Sequence, residues 1–77
     1  MPNDDGTVAL NNYLQSKGQL AALSWQDSTS GPKSAPTWTC ICKLYGEVRG
    51  TGTGHLKRTA RDVAAKQALK SLTEETS

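Results

Sequence analysis

The alternation of apolar and polar positions is clearest over residues 37–44. Trp38, Cys40, Cys42 and Leu44 occupy every second position there. A period of two predicts a strand with these four side chains on its buried face. A preceding strand is predicted over residues 20–27, with Leu23 and Trp25 on one face. A third is predicted over residues 47–51, after a turn at residues 45–47.

Two other segments have the helical period. The apolar positions of the first are Ala9, Leu10, Tyr13 and Leu14. Asp5 or Thr7 can cap the start of this helix, and Lys17-Gly18 supplies a cation and a left-handed stop at its end. The apolar positions of the second, C-terminal helix are Val63, Ala64, Ala68, Leu69 and Leu72.

The order of these elements is helix, three antiparallel strands, helix. It predicts a two-layer α+β domain in which both helices cover the face of the sheet that carries Trp38, Cys40, Cys42 and Leu44. A chain of 77 residues is the size of one domain. We place that domain at residues 5–72 and predict flexible termini at residues 1–4 and 73–77.

Positive charge is concentrated just before and within the C-terminal helix. The net charge of the chain is only +2, but residues 57–70 contain five basic residues and one acid, which leaves the remainder of the chain negative. Lys57, Arg58 and Arg61, the basic triplet, stand at the start of the helix, where the helix dipole disfavours cations. This arrangement favours an anionic partner such as a phosphate backbone, although a solvated helix face also accounts for a charge cluster taken alone.

Two further segments are candidates for binding. Residues 28–36 (STSGPKSAP) form a loop that is long for a hairpin, and long loops in small domains often carry function. The first helix presents Val8, Asn11, Asn12 and Gln15 opposite its apolar face. Amides donate and accept hydrogen bonds, which suits a ribose hydroxyl, and an ordinary solvated surface is an equally good interpretation of these residues alone.

The remaining chemistry gives no indication of catalysis, a metal or another cofactor. Cys40 and Cys42 lie one residue apart in a strand, where a disulfide is strained, and His55 is the only histidine. We interpret the cysteines as small buried residues, which favours a reducing, intracellular setting in the cytoplasm or nucleus. The sequence contains no membrane span.

Three separated motifs resemble those of the double-stranded RNA-binding domain family. Residues 52–54 read Gly-Thr-Gly and residues 57–61 read Lys-Arg-Thr-Ala-Arg, similar to the family's Gly-x-Gly exit and its Lys-Lys-x-Ala-Lys run before an Ala-rich helix. Gly31-Pro32-Lys33-Ser34 with Trp38 resembles the family's Gly-Pro-x-His loop and following aromatic residue. Residues 10–13 (Leu-Asn-Asn-Tyr) resemble the first-helix motif more weakly.

The resemblance implies a binding mode in which the domain spans about 16 base pairs, touching two minor grooves and the phosphates between them. By position, one minor groove would meet Val8, Asn11 and Asn12, and the next would meet Pro32, Lys33 and Ser34. The basic triplet would contact the phosphates of the intervening major groove. The implied partner is double-stranded RNA, and no cofactor is implied.

Three departures from the family pattern affect the expected affinity. Ser34 replaces a frequent His, Asn12 replaces a frequent Glu, and Leu56 replaces a polar residue that would cap the last helix. An alternative interpretation is a protein-interaction domain of the same fold that uses Thr39 and Ile41 on the outer sheet face. A protein partner, a homodimer and membership of a larger RNA-processing enzyme all remain open from the sequence.

Overall fold

The computed structural model describes residues 5–75 and has the predicted order of elements. A short 3-10 helix, Leu20–Ala22, precedes the first strand. The main elements are α1 (Asp5–Ser16), β1 (Leu23–Ser30), β2 (Thr37–Leu44), β3 (Glu47–Gly54) and α2 (Lys57–Glu75). Residues 1–4 and 76–77, part of the predicted flexible termini, lie outside the described residues, whereas residues 73–75 belong to α2. Helix α2 thus continues past residue 72.

The three strands form one antiparallel sheet in the order β1-β2-β3. The predicted bounds of β2 are confirmed, and its Cys40, Cys42 and Leu44 are buried. β1, Leu23–Ser30, lies three residues later at both ends than the predicted strand over residues 20–27. Ser30 still pairs with Thr37, because backbone pairing continues past Asp27, the last partly buried residue of β1. β3 likewise extends to Gly54, which pairs with Trp38.

α2 lies across the sheet on a surface made of small residues. Gly50 and Gly52 of β3 face the α2 backbone so closely that a Cβ on either would overlap backbone atoms of Ala60 or Ala64. The buried apolar residues of α2 are Ala60, Ala64, Ala65, Ala68 and Leu72. The prediction that Val63 is buried is wrong. It lies at the edge of the alanine stripe and is 39% exposed.

α1 packs beside α2 through Leu10 and Leu14, which are fully buried. The prediction of Ala9 as a core position is wrong, because Ala9 is exposed while Leu10 occupies the contact. The predicted end is confirmed: Gly18 has φ +71°, and the Gln19 N–H donates to the Leu14 carbonyl at 2.8 Å. This is the bonding of a Schellman C-cap.

The start of α1 differs from the prediction. Asp5 and Thr7 both lie inside the helix rather than before it. The N–H of Gly6 donates instead to Oδ1 of Asp62 on α2, at 2.6 Å. A carboxylate from α2 therefore satisfies one of the amides that the first turn of a helix leaves without an intrahelical partner.

Cys40 and Cys42 are free, buried thiols, as predicted. Burial raises the pKa of each to about 11, so both remain protonated at neutral pH. The Cys40 thiol donates to the Lys57 carbonyl at 3.6 Å, which connects β2 to the first residue of α2. Across the described residues, no helix is long and apolar enough to cross a membrane.

Candidate nucleic-acid interface

Two of the predicted contact segments lie at the same end of the sheet. Trp38 at the start of β2 pairs with Gly54 at the end of β3, so the β1–β2 connection and the entry to α2 are neighbours. We call this connection, residues 31–36, the tip loop. Nδ1 of His55 lies 3.4 Å from the Pro36 carbonyl oxygen, and in the tautomer with Nδ1 protonated it donates to that oxygen. His55 thus joins the tip loop to the start of α2.

The tip loop presents its side chains to solvent. Pro32, Lys33 and Ser34 are all exposed. Gly31 enters the loop with φ +92°, a backbone conformation that side-chain-bearing residues rarely adopt. The Ala35 N–H donates to the Pro32 carbonyl at 3.1 Å, which closes a turn and leaves Lys33 and Ser34 at its centre.

The basic triplet lies at the start of α2 around an open depression that Leu56 also lines. Lys57 and Arg58 are exposed and Arg61 is partly buried. The Ala60 N–H donates to the Leu56 carbonyl at 3.0 Å, which puts Leu56 at the N-cap position. Because a leucine side chain cannot accept a hydrogen bond, it leaves the first N–H groups of α2 for another acceptor.

Two of the three cations share a partner that the sequence analysis missed. Asp27 of β1 accepts hydrogen bonds at Oδ2 from Nε of Arg61, at 3.2 Å, and from Nη2 of the same side chain. Nζ of Lys57 lies 3.5 Å from the same oxygen. The Asp27 side chain is only 12% exposed. Arg58 forms no ion pair within the described part of the chain, so the three cations are not equivalent.

Two tryptophans complete the surroundings of these cations. The Arg61 guanidinium lies 5.1 Å from the centre of the Trp25 ring, and Nζ of Lys57 lies 5.6 Å from that of Trp38. Both distances are within the range of cation–π attraction. Arg61 and Lys57 are therefore each held between an aromatic ring and the Asp27 carboxylate.

The pKa values in this cluster follow from its geometry. Burial disfavours the charged form of Asp27, but the hydrogen bonds from Arg61, and the charges of Arg61 and Lys57, hold the pKa of that carboxyl below its ordinary 3.8. The hydrogen bond to Asp27 in turn raises the pKa of the Arg61 guanidinium. The carboxylate is therefore ionised at neutral pH, and its negative charge lies inside the basic surface.

A signal for Asp27 was present in the sequence. It follows Leu23 and Trp25 at spacing two, so the alternation that predicted the inner face of β1 also assigned an acid to it. A carboxylate on a sheet face covered by a helix needs a cationic partner. Only the fold shows that Arg61 and Lys57, more than 25 residues away along the chain, supply it.

The predicted contact face of α1 is separate from the other two segments. Val8 is 51% exposed, Asn12 is exposed and Asn11 is partly buried. Asp62 positions this face, because its Oδ1 accepts from Gly6 and its Oδ2 lies 3.1 Å from Nζ of Lys66.

Comparisons with known proteins agree on the type of domain. The family model for the double-stranded RNA binding motif matches residues 9–72. Ribonuclease 3 of Ligilactobacillus salivarius is 34% identical over 68 residues, which are 88% of this chain and 29% of that enzyme. Ribonuclease 3 of Anaplasma marginale is 33% identical over 73 residues, 95% of this chain and 32% of that enzyme. The chain thus spans about a third of the length of these curated relatives.

Solved structures of similar fold include both double-stranded RNA-binding domains of DRB4 with their linker. This structure has a TM-score of 0.70 and 30% identity, and the match covers 91% of this chain and 45% of that one. The second of those domains alone gives a TM-score of 0.64 and 31% identity, over 86% of this chain and 92% of that one. With the α-β-β-β-α order and the motif positions described above, these matches show that the chain belongs to the double-stranded RNA binding motif family and is a double-stranded RNA-binding domain.

Proposed function

We propose that this domain recognises the shape of duplex RNA through three surfaces. The α1 face with Val8, Asn11 and Asn12 enters one minor groove, and the tip loop with Pro32, Lys33 and Ser34 enters the next. The residues that contact the phosphates of the major groove between them are Lys57, Arg58 and Arg61. The ribose 2′-hydroxyls exposed in the minor groove distinguish RNA from DNA, and sequence has little influence.

The observation that carries this proposal is the junction of the tip loop with the start of α2. His55 bridges to Pro36, and the triplet begins two residues after His55. A minor-groove probe and a set of phosphate-directed cations are therefore held at a fixed separation, as recognition of a helix with a regular pitch requires. The neutral amides of Asn11 and Asn12 suit a ribose hydroxyl, which both donates and accepts.

Three residues are expected to reduce the affinity below that of a domain with the usual family motif. Ser34 offers a smaller groove contact than His, and Asn12 lacks the charge of Glu. Leu56 offers the first turn of α2 no polar side chain.

We further propose that the domain is the binding module of a larger RNA-processing protein whose chemistry lies elsewhere. The relatives that it matches are ribonucleases about three times its length. Two buried, reduced cysteines fit a reducing intracellular compartment.

The test is a gel shift with duplex RNA, duplex DNA and single-stranded RNA of one sequence, each at two salt concentrations. Duplex RNA is expected to bind well ahead of the other two. Lys70→Gln is a matched control for loss of charge, because Lys70 lies about 20 Å along α2 from Lys57 at 1.5 Å per residue. Equal binding of all three nucleic acids would reduce the surface to a nonspecific basic patch. Absence of binding would favour protein association through the partly exposed Thr39 and Ile41.

A further inference from the structure

The three cations of the basic triplet face different electrostatic surroundings. Arg61 directs two of its N–H groups to Asp27, and Lys57 directs its ammonium to the same oxygen. Arg58 is exposed and forms no ion pair among the described residues. A negative charge that is 12% exposed and surrounded by protein is screened less by salt than a charge in open solvent.

We propose that Asp27 is a positioning residue that holds Arg61, and to a lesser extent Lys57, within the fold, so that Arg58 is the principal phosphate contact of the triplet. This inference rests on the proposed function, because it concerns how strongly the same surface attracts duplex RNA. Asp27 sets the affinity below the value that three unpaired cations would give.

The first reason is competition for the same donors. A guanidinium has five N–H groups in a rigid fork, and those directed at Oδ2 of Asp27 cannot also address a phosphate. The Trp25 ring 5.1 Å from Arg61 further restrains the guanidinium over the sheet. A phosphate could bind Arg61 only by breaking its hydrogen-bonded ion pair with Asp27. The Arg61 side chain in that pair is only 35% exposed.

The second reason is repulsion. A phosphate drawn to Arg61 or Lys57 also approaches the carboxylate to which both are bonded, and like charges at close range oppose binding. An arginine already neutralised by a carboxylate also releases fewer counterions when a phosphate arrives. It therefore contributes less than a full contact to the salt dependence of binding.

The experiment measures duplex RNA affinity against salt concentration for the wild type, Asp27→Asn, Arg61→Gln and the double variant. Asn keeps the shape of Asp and removes its charge. Asp27→Asn is expected to bind about two- to fivefold more tightly, the range of one surface ion pair, with a salt slope steeper by up to about 0.9. Arg61→Gln is expected to change the slope little in the wild type, but by about 0.9 in the Asp27→Asn background.

Arg58→Gln is the matched control, because it removes one arginine charge from the same turn of α2 without touching Asp27. It is expected to reduce the salt slope by about the same amount in both backgrounds. A merely structural role of Asp27 would change the melting temperature and leave these slopes alone.

The possible outcomes separate this inference from the proposed function. An Asp27→Asn slope equal to that of the wild type overturns the inference, and so does weaker binding by a folded Asp27→Asn protein. If Arg61→Gln in the wild type reduces the salt slope by the full value of one contact, about 0.9, the inference is also overturned. This measurement does not require an Asp27 variant to fold. Asp27→Thr, a good strand former, repeats the first arm should Asn unfold the domain. Absence of a duplex RNA preference in the wild type refutes the proposed function itself.

Discussion

The basic triplet and the tip loop lie at the same end of the sheet, but the fold holds them in different ways. Arg61 and Lys57 are bonded to Asp27 and lie against two tryptophans. The tip loop is exposed along residues 31–35 and is held by one internal turn and the contact of Pro36 with His55. Loss of the Arg61 side chain should therefore lower stability, whereas loss of the loop side chains at residues 33–35 should change binding alone.

The largest expected effect contrasts Gly52 of β3, which packs against the helix that carries the triplet, with Gly31 of the tip loop. In Gly52→Ala the new Cβ would overlap the Ala60 carbonyl oxygen and the Ala64 nitrogen, which are backbone atoms and cannot rotate away. α2 would have to move off the sheet, at a cost of about 3 kcal/mol in the free energy of unfolding. Gly31→Ala meets nothing closer than 3.4 Å and suffers only from its φ of +92°, at a cost of about 1 kcal/mol.

Denaturant unfolding of both variants measures this contrast. Thr53→Ala, an exposed neighbour on the same strand, is the control for β3 and should change stability little. Equal losses in the free energy of unfolding for the two glycine variants would mean that the close approach of α2 to β3 does not stabilise the helix that carries the triplet.

The second prediction concerns the tip loop. Deletion of residues 33–36 leaves Gly31-Pro32 between Ser30 and Thr37, which pair in the sheet, and two residues suffice for a hairpin connection. We expect the domain to remain folded and duplex RNA to bind about tenfold more weakly, the loss of about 1.4 kcal/mol from one groove contact. Ser34→His should tighten binding, because it restores the larger side chain typical of the family.

Titrations with duplex RNA and circular dichroism melts check both halves of this prediction. Replacement of residues 33–36 by four glycines is the control that keeps the loop length and removes its side chains. A deletion variant with unchanged affinity would remove the second minor-groove contact from the proposed binding mode.

What the sequence could predict here depended on the range of the interactions. The period-two spacing of Cys40, Cys42 and Leu44 is a local signal, and so is the left-handed glycine after Lys17; both predictions are confirmed. The predicted burial of Ala9 and Val63 is wrong, because helical periodicity identifies an apolar stripe but not which edge of it contacts the neighbouring element. In α2, the alanines are buried because the glycines of β3 pack against them.

The candidate site shows the same limit more strongly. The motif places Lys57, Arg58 and Arg61 at the start of a helix, and the structure confirms that location. The motif contains no information on the carboxylate opposite these cations. Asp27 reaches Arg61 only because the sheet places β1 beside β2, which packs against α2. Likewise, the Gly6–Asp62 bond joins residues 56 positions apart in the chain.

The third prediction separates the two arginines of the triplet by stability. Arg61→Gln should lower the free energy of unfolding by roughly 1 kcal/mol, because it removes a partly buried ion pair and a cation–π contact. Arg58→Gln should leave stability unchanged or slightly higher, since a cation in the first turn opposes the helix dipole. Thermal melts at pH 7 test this, and equal effects for both arginines would contradict the assignment of Arg61 to Asp27.

The pH dependence of the same comparison gives a further check. The folded state holds the pKa of Asp27 below its ordinary 3.8. The charge of Asp27 therefore contributes stability that is fully present above the ordinary pKa and is lost as the pH falls through the lower pKa of the folded state. The stability difference between the wild type and Asp27→Asn should thus shrink as the pH falls below about 5. A difference that stays constant would mean that Asp27 has no favourable charge partner.

The smallest expected effect lies at the other end of the sheet, in the turn between β2 and β3. Tyr45 has φ +54° and Gly46 has φ +80°, the conformation of a two-residue type I′ turn. Tyrosine is strained there, its side chain is 69% exposed, and asparagine tolerates the left-handed region much better. Tyr45→Asn should raise the free energy of unfolding by about 0.5–1 kcal/mol.

Because the turn is remote from the tip loop and the triplet, RNA affinity and its salt slope should not change. A gain in stability that also altered the salt slope would show that the two ends of the sheet are coupled. Fold stability and phosphate contact would then not be separable by position along β2.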